Sequence, residues 1–527
     1  MVNALYNTCW IDPWLNVAFH LEKERNIRLT YWIGYYNDNS EFIIPIKSPA
    51  TIYHSRWDVW KGIFSPEIED IYTEYQLPLD FIASYGLEEL IAIKAMDRMD
   101  PDRYSFAFTE RQRLFRNLCR KWFACIDKYN INLVIADRIP HRSYDYALYV
   151  VCDYLKIEYK CFTHTYYKAR NICINNIDKL DDVLRVHYNS LITKFNHLSI
   201  KELKGLLDSD ILDSYLTIKG VNKDATPYYM LRQNSTHQKN SNILKLGYNF
   251  FKEFLNLTDK KEIHLRRNKG FFLDIIDIHP YSKRRHISIE DSKYNVLQYG
   301  IIAYKSIKYK KKLLKYYQNL SEYVNLTVPY VYFGLHYQPE ATSNPGANIF
   351  VDQYLAIEQL ANSLPDSMHI YVKEHKTQFS NIYEGHKARF QQLYDDLLKL
   401  KNVKLVNLNM SSFDLIDNAE AVSTLTGTLA WEGVIRGKPA IIFGLSYFEI
   451  CYGVIKIDTE EKVNSICEFI ETFRYDERKV LLYQLLIQKH APLAYTYLDI
   501  GKDKIDEDTC VNNIVSQLFP EDHAKII

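Results

Sequence analysis

Apolar runs and helical patterns alternate at short spacing from residue 329 onward. Runs rich in β-branched and aromatic residues predict strands at 329–337, 368–375, 403–408, 421–422, 440–443 and 452–457. Segments with a helical period predict helices at 351–364, 383–400, 413–418, 429–435 and 460–490. Strands that alternate with helices in this way are typical of a doubly wound parallel sheet.

The beginning of the chain shows the same alternation. Strands are predicted at 26–36, 131–137 and 157–163, helices at 103–129, 146–155 and 175–215, and a loop with a helix at 51–64. We therefore predict an α/β protein with two Rossmann-like domains that face each other across a cleft, with helical insertions. The predicted divisions are a first domain at 1–218, a linker with a helical, basic middle region at 219–328, and a second domain with a helical C-terminal tail at 329–527.

The composition narrows the class of protein. The 527 residues carry 65 basic and 65 acidic side chains, and a formal charge of zero argues against a nucleic-acid partner. The nine cysteines include no Cys-x-x-Cys pair, which predicts a reduced chain without disulfides or structural zinc. No apolar run approaches the ~20 residues of a membrane span, and the N-terminus lacks the basic lead of a signal peptide. These features predict a cytoplasmic protein.

A strongly basic helix is predicted to begin in the stretch 304–317, YKSIKYKKKLLKYY. A solvated face is the more common explanation for such a run of charge. The alternative is a patch that meets an anionic substrate or an anionic membrane surface, which would place the protein at the inner face of the membrane.

Polar side chains follow two of the predicted strands in the second domain. His336, Gln338 and Glu340 come after the first strand, and Lys373 and His375 end the second. Because the carboxyl ends of parallel strands meet at one edge of a sheet, we expect these side chains to lie close together. Lysine and histidine donate hydrogen bonds to phosphate oxygens, so the edge is a candidate phosphate site.

A third strand runs into a turn of small and hydroxyl residues. The turn contains Ser423, Thr424, Thr426, Gly427 and Thr428, and the helix behind it carries Glu432 one turn further on. Backbone N–H groups at a helix N-terminus bind anions, and Glu432 would then reach a ribose. The alternative is an ordinary strand–helix connection with a Ser/Thr N-cap.

Several familiar phosphate and metal motifs are absent from the sequence. There is no Gly-x-x-x-x-Gly-Lys-Ser/Thr loop and no Gly-x-Gly-x-x-Gly fingerprint. No paired acidic motif stands beside the three clusters, so a tightly held metal is not required. In the first domain, Asp137, Arg138, His141 and His164 fall at the ends of successive predicted strands.

Three segments resemble, in order, the C-terminal half of capsule and surface-polysaccharide biosynthesis proteins: FGLHYQPEATSNPGA, LPDSMHIYVKEHK and STLTGTLAWEGVIRGKPAIIFG. These relatives are glycosyltransferases with two Rossmann-like domains, the GT-B fold, and are related to the capsular Kdo transferases. The resemblance covers about residues 329–445, and the first domain shares only Pro140 and His141 after a strand. Many relatives have a proline directly after the histidine of the second segment, where this chain has Lys376.

The resemblance implies a metal-independent transfer of sugar from a CMP-, UDP- or GDP-linked donor to a growing surface polysaccharide or glycolipid. The donor nucleotide sugar is then a substrate, and no cofactor is expected. The second domain would bind the donor through His336, Gln338, Lys373, His375, Ser423, Thr424, Thr426, Gly427, Thr428 and Glu432. An inverting enzyme needs a general base, for which Asp137, His141 and Glu340 are the candidates. A retaining enzyme would use a carboxylate differently.

Two other functions fit the same sequence. A nucleotide-sugar 2-epimerase of this fold would use similar phosphate turns and would need no polymer acceptor. A catalytically silent carbohydrate-binding or assembly protein would bind a nucleotide sugar without turnover, or would not bind one. Turnover of UDP-GlcNAc without an acceptor separates the epimerase from the transferase.

Overall fold

A computed structural model describes residues 2–9, 13–34, 51–100, 102–220, 296–381, 383–497 and 503–520. Most of the predicted linker and middle region therefore lies outside the described residues, and the predicted domain boundaries stay predictions. Within these ranges no helix is both long enough and apolar enough to cross a membrane.

The first domain is built on a six-stranded sheet. Its strands are β1 (Val2–Asn7), β2 (Ile27–Gly34), β3 (Ile52–Ser55), β4 (Leu133–Ala136), β5 (Glu158–His164) and β6 (Asn171–Ile174). They lie in the order β3-β2-β1-β4-β5-β6, and neighbours are parallel except for β5 and β6. This is the Rossmann strand order, in which ligands bind where the order reverses, here between β1 and β4.

The helices of this part of the chain are α1 (Pro13–Arg25), α2 (Arg56–Trp60), α3 (Pro66–Glu69), α4 (Leu79–Ser84), α5 (Gly86–Ala95), α6 (Phe108–Lys128), α7 (Ser143–Leu155), α8 (Asp182–Lys194), α9 (Ile200–Gly205) and α10 (Ser209–Ile218). The long helix α6 forms because Leu114, Leu118 and Trp122, spaced four residues apart, give it one buried face.

Three strands of the first sheet, β1, β3 and β6, were not predicted. The interpretation of 51–64 as a loop and helix is wrong at its start, because β3 precedes α2. The central strand β1 was read only as an apolar N-terminus. β1 and β3 pair in parallel with β2, and β6 pairs antiparallel with β5, so all three gain their strand conformation from pairing along the sheet.

The second domain repeats the same topology. Its strands are β7 (Tyr330–Gly334), β8 (His369–Lys373), β9 (Val403–Leu405), β10 (Ala421–Thr424), β11 (Ala440–Ile442) and β12 (Val454–Lys456). All neighbours are parallel, in the order β12-β11-β10-β7-β8-β9. The order reverses between β7 and β10, so the predicted fold class of two Rossmann-like domains is confirmed.

The helices from residue 296 onward are α11 (Val296–Leu320), α12 (Gln353–Ser363), α13 (Gln391–Leu397), α14 (Ser412–Asp417), α15 (Thr428–Ile435), α16 (Glu460–Asn464), α17 (Ile466–Thr472), α18 (Glu477–His490) and α19 (Glu507–Leu518). The predicted helix 383–400 is wrong in its first half, which contains only a 3-10 turn at Gly385–Lys387. A β-carbon on Gly385 would lie 2.1 Å from the Gln378 carbonyl oxygen, so this backbone is folded tightly onto the preceding loop.

The helices that precede and follow the second sheet along the chain pack onto different domains. Helix α11 buries Leu313 and Tyr317 in the core of the second domain. The C-terminal helix α19 instead buries Ile514 and Leu518 in a cluster with Trp14 of α1. The chain therefore returns to the first domain after completing the second.

Candidate functional site

A cavity of about 620 Å³ opens where the strand order of the second sheet reverses. It lies at the carboxyl ends of β7, β8 and β10, the position at which open parallel sheets bind ligands. The structure brings together the predicted residues His336, Glu340, Lys373, His375, Thr424, Thr426, Gly427, Thr428 and Glu432 along its wall. A larger cavity, of about 1010 Å³, lies at the outer edge of the first sheet beside α19, away from these strand ends.

His336 joins the β7 loop to the β10 turn. Its Nε2 accepts a hydrogen bond from the Thr426 backbone N–H at 3.2 Å, and Thr424 Oγ1 lies 3.0 Å from the same nitrogen. Because Nε2 accepts, the ring proton lies on Nδ1, which donates to Glu340 Oε1 at 2.7 Å. Both ring nitrogens are therefore used, and His336 positions the turn.

Glu340 remains ionised in this arrangement. Burial is the largest single influence and raises the pKa of its carboxyl, but the interactions with His336, His375 and Ser343 together outweigh burial, and the net pKa is lowered. Its Oε1 already accepts the His336 Nδ1–H. Glu340 is thus better suited to orienting His336 than to accepting a proton from a substrate.

The turn before α15 presents unused polar groups to the cavity. Its N-cap is Gly427, without a side-chain cap, so the alternative of a Ser/Thr N-cap is wrong. The buried Thr426 hydroxyl has no hydrogen-bond partner among the described residues. The positive end of the α15 dipole and this hydroxyl therefore lie together beside the cavity.

Gly427 is required by a close approach. A β-carbon at this position would lie 3.0 Å from Thr424 Oγ1 and 3.2 Å from His336 Nε2. Replacing Gly427 with alanine is expected to lower the free energy of unfolding by about 1–3 kcal/mol through overpacking and to weaken nucleotide binding. Gly205→Ala is the control, because a β-carbon there meets nothing within 4 Å. Urea denaturation and nucleotide titration check this, and equal nucleotide affinities in the two variants would refute it.

His375 and Lys373 supply hydrogen-bond donors on one side of the cavity. His375 Nδ1 accepts from the Thr377 backbone N–H at 3.4 Å, which leaves the proton on Nε2 as a donor. Burial lowers the pKa of His375, so the ring is neutral. Lys373 Nζ donates to the Met410 carbonyl at 2.5 Å and to Ser412 Oγ at 3.0 Å. Burial, followed by repulsion from Lys376, lowers the pKa of Lys373 to about 8.

Two predicted donor residues do not line the cavity. The Gln338 side-chain amide donates to the Val351 carbonyl at 2.7 Å and accepts from Arg389 at 3.2 Å. Its nitrogen and its oxygen are therefore both engaged in hydrogen bonds within the protein. Ser423 is fully buried on β10, within the sheet. Alternate residues of a strand point to opposite faces, and Ser423 lies one residue before the cavity-lining Thr424.

A buried ion pair beneath the cavity was not predicted. Arg389 Nε donates to Glu374 Oε2 at 2.7 Å, and Arg389 Nη2 donates to the His336 carbonyl at 2.7 Å. Glu374 Oε1 accepts from the His375 backbone N–H at 2.8 Å. The pair therefore fixes the β7 and β8 loops relative to each other. The ion pair was missed because 383–400 was predicted to be a helix, and an arginine in such a helix is normally expected to face solvent.

Asp137 of the first domain is enclosed by partners. Its Oδ1 accepts from Thr8 Oγ1 at 2.5 Å and from Arg138 Nε at 2.8 Å, and Oδ2 pairs with the same guanidinium. The carboxylate is completely buried. The structure thus does not support the prediction of Asp137 as a general base, because proton transfer needs a lone pair that a substrate can reach.

His141 has the tautomer of a base. Its Nδ1 lies 3.0 Å from the Ile139 carbonyl, which can only accept, so Nδ1 carries the proton. Nε2 then holds a lone pair, and no described residue hydrogen-bonds it. Arg98 donates to the His141 carbonyl and also borders a small cavity with Glu340. Arg98 therefore both holds the His141 loop and borders residues of the second domain.

Residues 340–460 match the sequence model of the family described as capsule polysaccharide biosynthesis protein. This confirms the resemblance predicted from the three segments over most of its length. A search of curated proteins finds no match. Within the described ranges, no group of three or more His, Cys, Asp and Glu side chains is arranged to hold a metal ion.

Solved structures with similar topology include transferases and epimerases. KpsC of Thermosulfurimonas dismutans, a beta Kdo 2,7 transferase, matches at 14% identity and TM-score 0.23, over 40% of this chain and 61% of its own. A UDP-GlcNAc 2-epimerase from Methanocaldococcus jannaschii matches at 12% identity and TM-score 0.23, over 91% and 98%. A UDP-GlcNAc 2-epimerase from Neisseria meningitidis matches at 12% identity and TM-score 0.20, over 99% and 100%. These matches do not distinguish the two activities.

Proposed function

We propose that this chain, whose residues 340–460 match the capsule polysaccharide biosynthesis family, is a glycosyltransferase. It would move a sugar from a nucleotide-activated donor to a growing surface polysaccharide or glycolipid on the cytoplasmic side of the membrane. The observation that carries the proposal is the convergence of phosphate-binding groups where the strand order of the second sheet reverses.

The donor phosphates would lie between His375 and Lys373 on one side of the cavity and the β10 turn on the other. His375 Nε2–H, the Lys373 ammonium and the α15 N-terminus offer donors to phosphate oxygens. The Thr426 hydroxyl, buried without a described partner, would donate to the same oxygens. Glu432 lines the cavity further along and would accept from a ribose hydroxyl.

These groups would stabilise the leaving nucleotide. Negative charge grows on the phosphate as the glycosidic bond breaks, and preorganised donors lower the energy of that transition state. The acceptor hydroxyl must lose a proton as it attacks. His141 Nε2 is the proposed base, because its tautomer leaves it a lone pair and Arg98, which donates to its carbonyl, borders residues of the second domain.

An epimerase is the second candidate, since it would use the same phosphate donors. The position of His141 on the opposite domain favours transfer, because an acceptor binds across the cleft from the donor. Incubation with UDP-GlcNAc alone separates the two functions. Interconversion of the sugar without an acceptor would establish the epimerase.

Thermal-shift titration with CMP, UDP and GDP tests the donor site. We expect one nucleotide to stabilise the protein, and His375→Ala to weaken its binding by at least tenfold, because hydrogen bonds to charged groups contribute about 1.5–3 kcal/mol. The control is the exposed His197→Ala. If no nucleotide binds, the assignment of the donor site is wrong. The protein would then be better explained as a catalytically silent carbohydrate-binding or assembly protein.

A further inference from the structure

Helix α11 carries lysine on one face and no acidic residue along its length. Five of its lysines are exposed: Lys305, Lys308, Lys311, Lys312 and Lys315. At about 100° per residue they fall within about a third of the helix circumference. No described carboxylate pairs with any of them. We call these five side chains, with Ile301 and Tyr304, the lysine face.

The apolar members of the lysine face distinguish it from an ordinary solvated surface. Ile301 is 54% exposed and Tyr304 is 55% exposed, and both lie within the same arc as the lysines. The opposite side of the helix buries Leu313 and Tyr317 in the core of the second domain. The helix is thus held by one side and presents cations with apolar side chains on the other.

The helix is also fixed to the wall of the donor cavity. Lys310, on the buried side, donates to the Ser380 carbonyl at 2.8 Å and to the Tyr383 carbonyl at 2.7 Å. Tyr383 lines the cavity. A surface that contacts the lysine face would therefore lie about one helix diameter, ~10 Å, from a loop that borders the cavity.

We propose that the lysine face docks the protein onto an anionic lipid surface and so holds the donor cavity beside the membrane. Clustered lysines are attracted to anionic headgroups, and exposed apolar side chains on the same face enter the headgroup region. A soluble polyanion would need the lysines but would gain little from Ile301 and Tyr304. This docking goes beyond sugar transfer and does not depend on the donor assignment.

Co-sedimentation of the full chain with vesicles tests the proposal. We expect binding to phosphatidylcholine vesicles that contain phosphatidylglycerol, little binding to phosphatidylcholine alone, and weaker binding at high salt. A variant with Lys305, Lys308, Lys312 and Lys315 changed to Gln should bind several hundredfold more weakly, at about fivefold per lysine.

The matched control changes four exposed lysines elsewhere, Lys23, Lys156, Lys179 and Lys399, to Gln. It alters the net charge equally, and we expect it to bind vesicles like the wild type. Ile301→Ser with Tyr304→Ser should reduce the binding that persists at high salt. Failure of the wild type to bind anionic vesicles, an equal loss in both lysine variants, or preferential binding of soluble dextran sulfate would overturn the proposal. The urea midpoint of each variant shows that it is folded.

Discussion

Replacing His141 with alanine is expected to slow sugar transfer by about 10²–10⁴-fold, the usual contribution of a general base. Nucleotide binding should be unchanged, because the phosphate donors all belong to the second domain. His141 Nε2 is left as the basic nitrogen by the 3.0 Å contact between Nδ1 and the Ile139 carbonyl. Initial rates at saturating donor, with thermal-shift titration of the nucleotide, measure the two effects separately.

The surroundings of His141 also predict the pH dependence of this step. Burial lowers the pKa of His141 well below 6.5, and the nearby Arg142, Arg98 and Arg138 lower it further. The imidazole is therefore neutral, and able to accept a proton, at every pH above that lowered value. We expect no loss of rate from His141 protonation as the pH falls to 6.5. An acid limb with its midpoint at 6.5 would contradict this environment.

His164→Ala is the matched control for His141→Ala. His164 ends the neighbouring strand β5, and its Nδ1 lies 2.6 Å from Asn171 Oδ1. We expect the control to retain most of its activity. Asp137→Asn tests the other possibility, since transfer that survives in His141→Ala but is lost in Asp137→Asn would assign the chemistry to the carboxylate.

The grouping of the cavity residues was predictable because parallel strands impose it. The sequence places Lys373, Thr424 and His336 tens of residues apart, yet each ends or follows an apolar strand, and parallel strands bring such positions to one edge. The direction of each side chain was harder to predict. Gln338 lies only two residues beyond His336, but its amide turns inward to Val351 and Arg389.

The buried charges could not be predicted from local pattern. Arg389 lies in a stretch that reads as an amphipathic helix, where arginine is normally exposed. Its burial depends on Glu374, which stands fifteen positions earlier at the end of a strand. A lysine or arginine whose carboxylate partner lies on another element gives no periodic signal. The burial of Lys310 could not be predicted for the same reason, because its partners are two carbonyl groups of a separate loop.

Replacing Arg389 with methionine is expected to lower the free energy of unfolding by about 3–5 kcal/mol, the cost of leaving one member of a buried ion pair uncompensated. Both side chains are inaccessible to solvent, at 1% exposure for Arg389 and 0% for Glu374. The loss should appear as a lower urea midpoint. Nucleotide affinity should also fall, because Arg389 holds the His336 carbonyl and Glu374 holds the His375 N–H.

A double-mutant cycle separates the ion pair from general packing. Glu374→Gln removes the charge that Arg389→Met leaves uncompensated. The double variant should therefore lose less unfolding free energy than the two single variants lose together. Arg389→Lys keeps the charge but not the planar fork that reaches Glu374, Gln338 and the His336 carbonyl together, so it should restore part of the stability and little of the nucleotide affinity. Additive losses in the double variant would mean that the two side chains act independently. Full recovery of nucleotide affinity by lysine would mean that charge, and not the position of the two loops, is what the donor site requires.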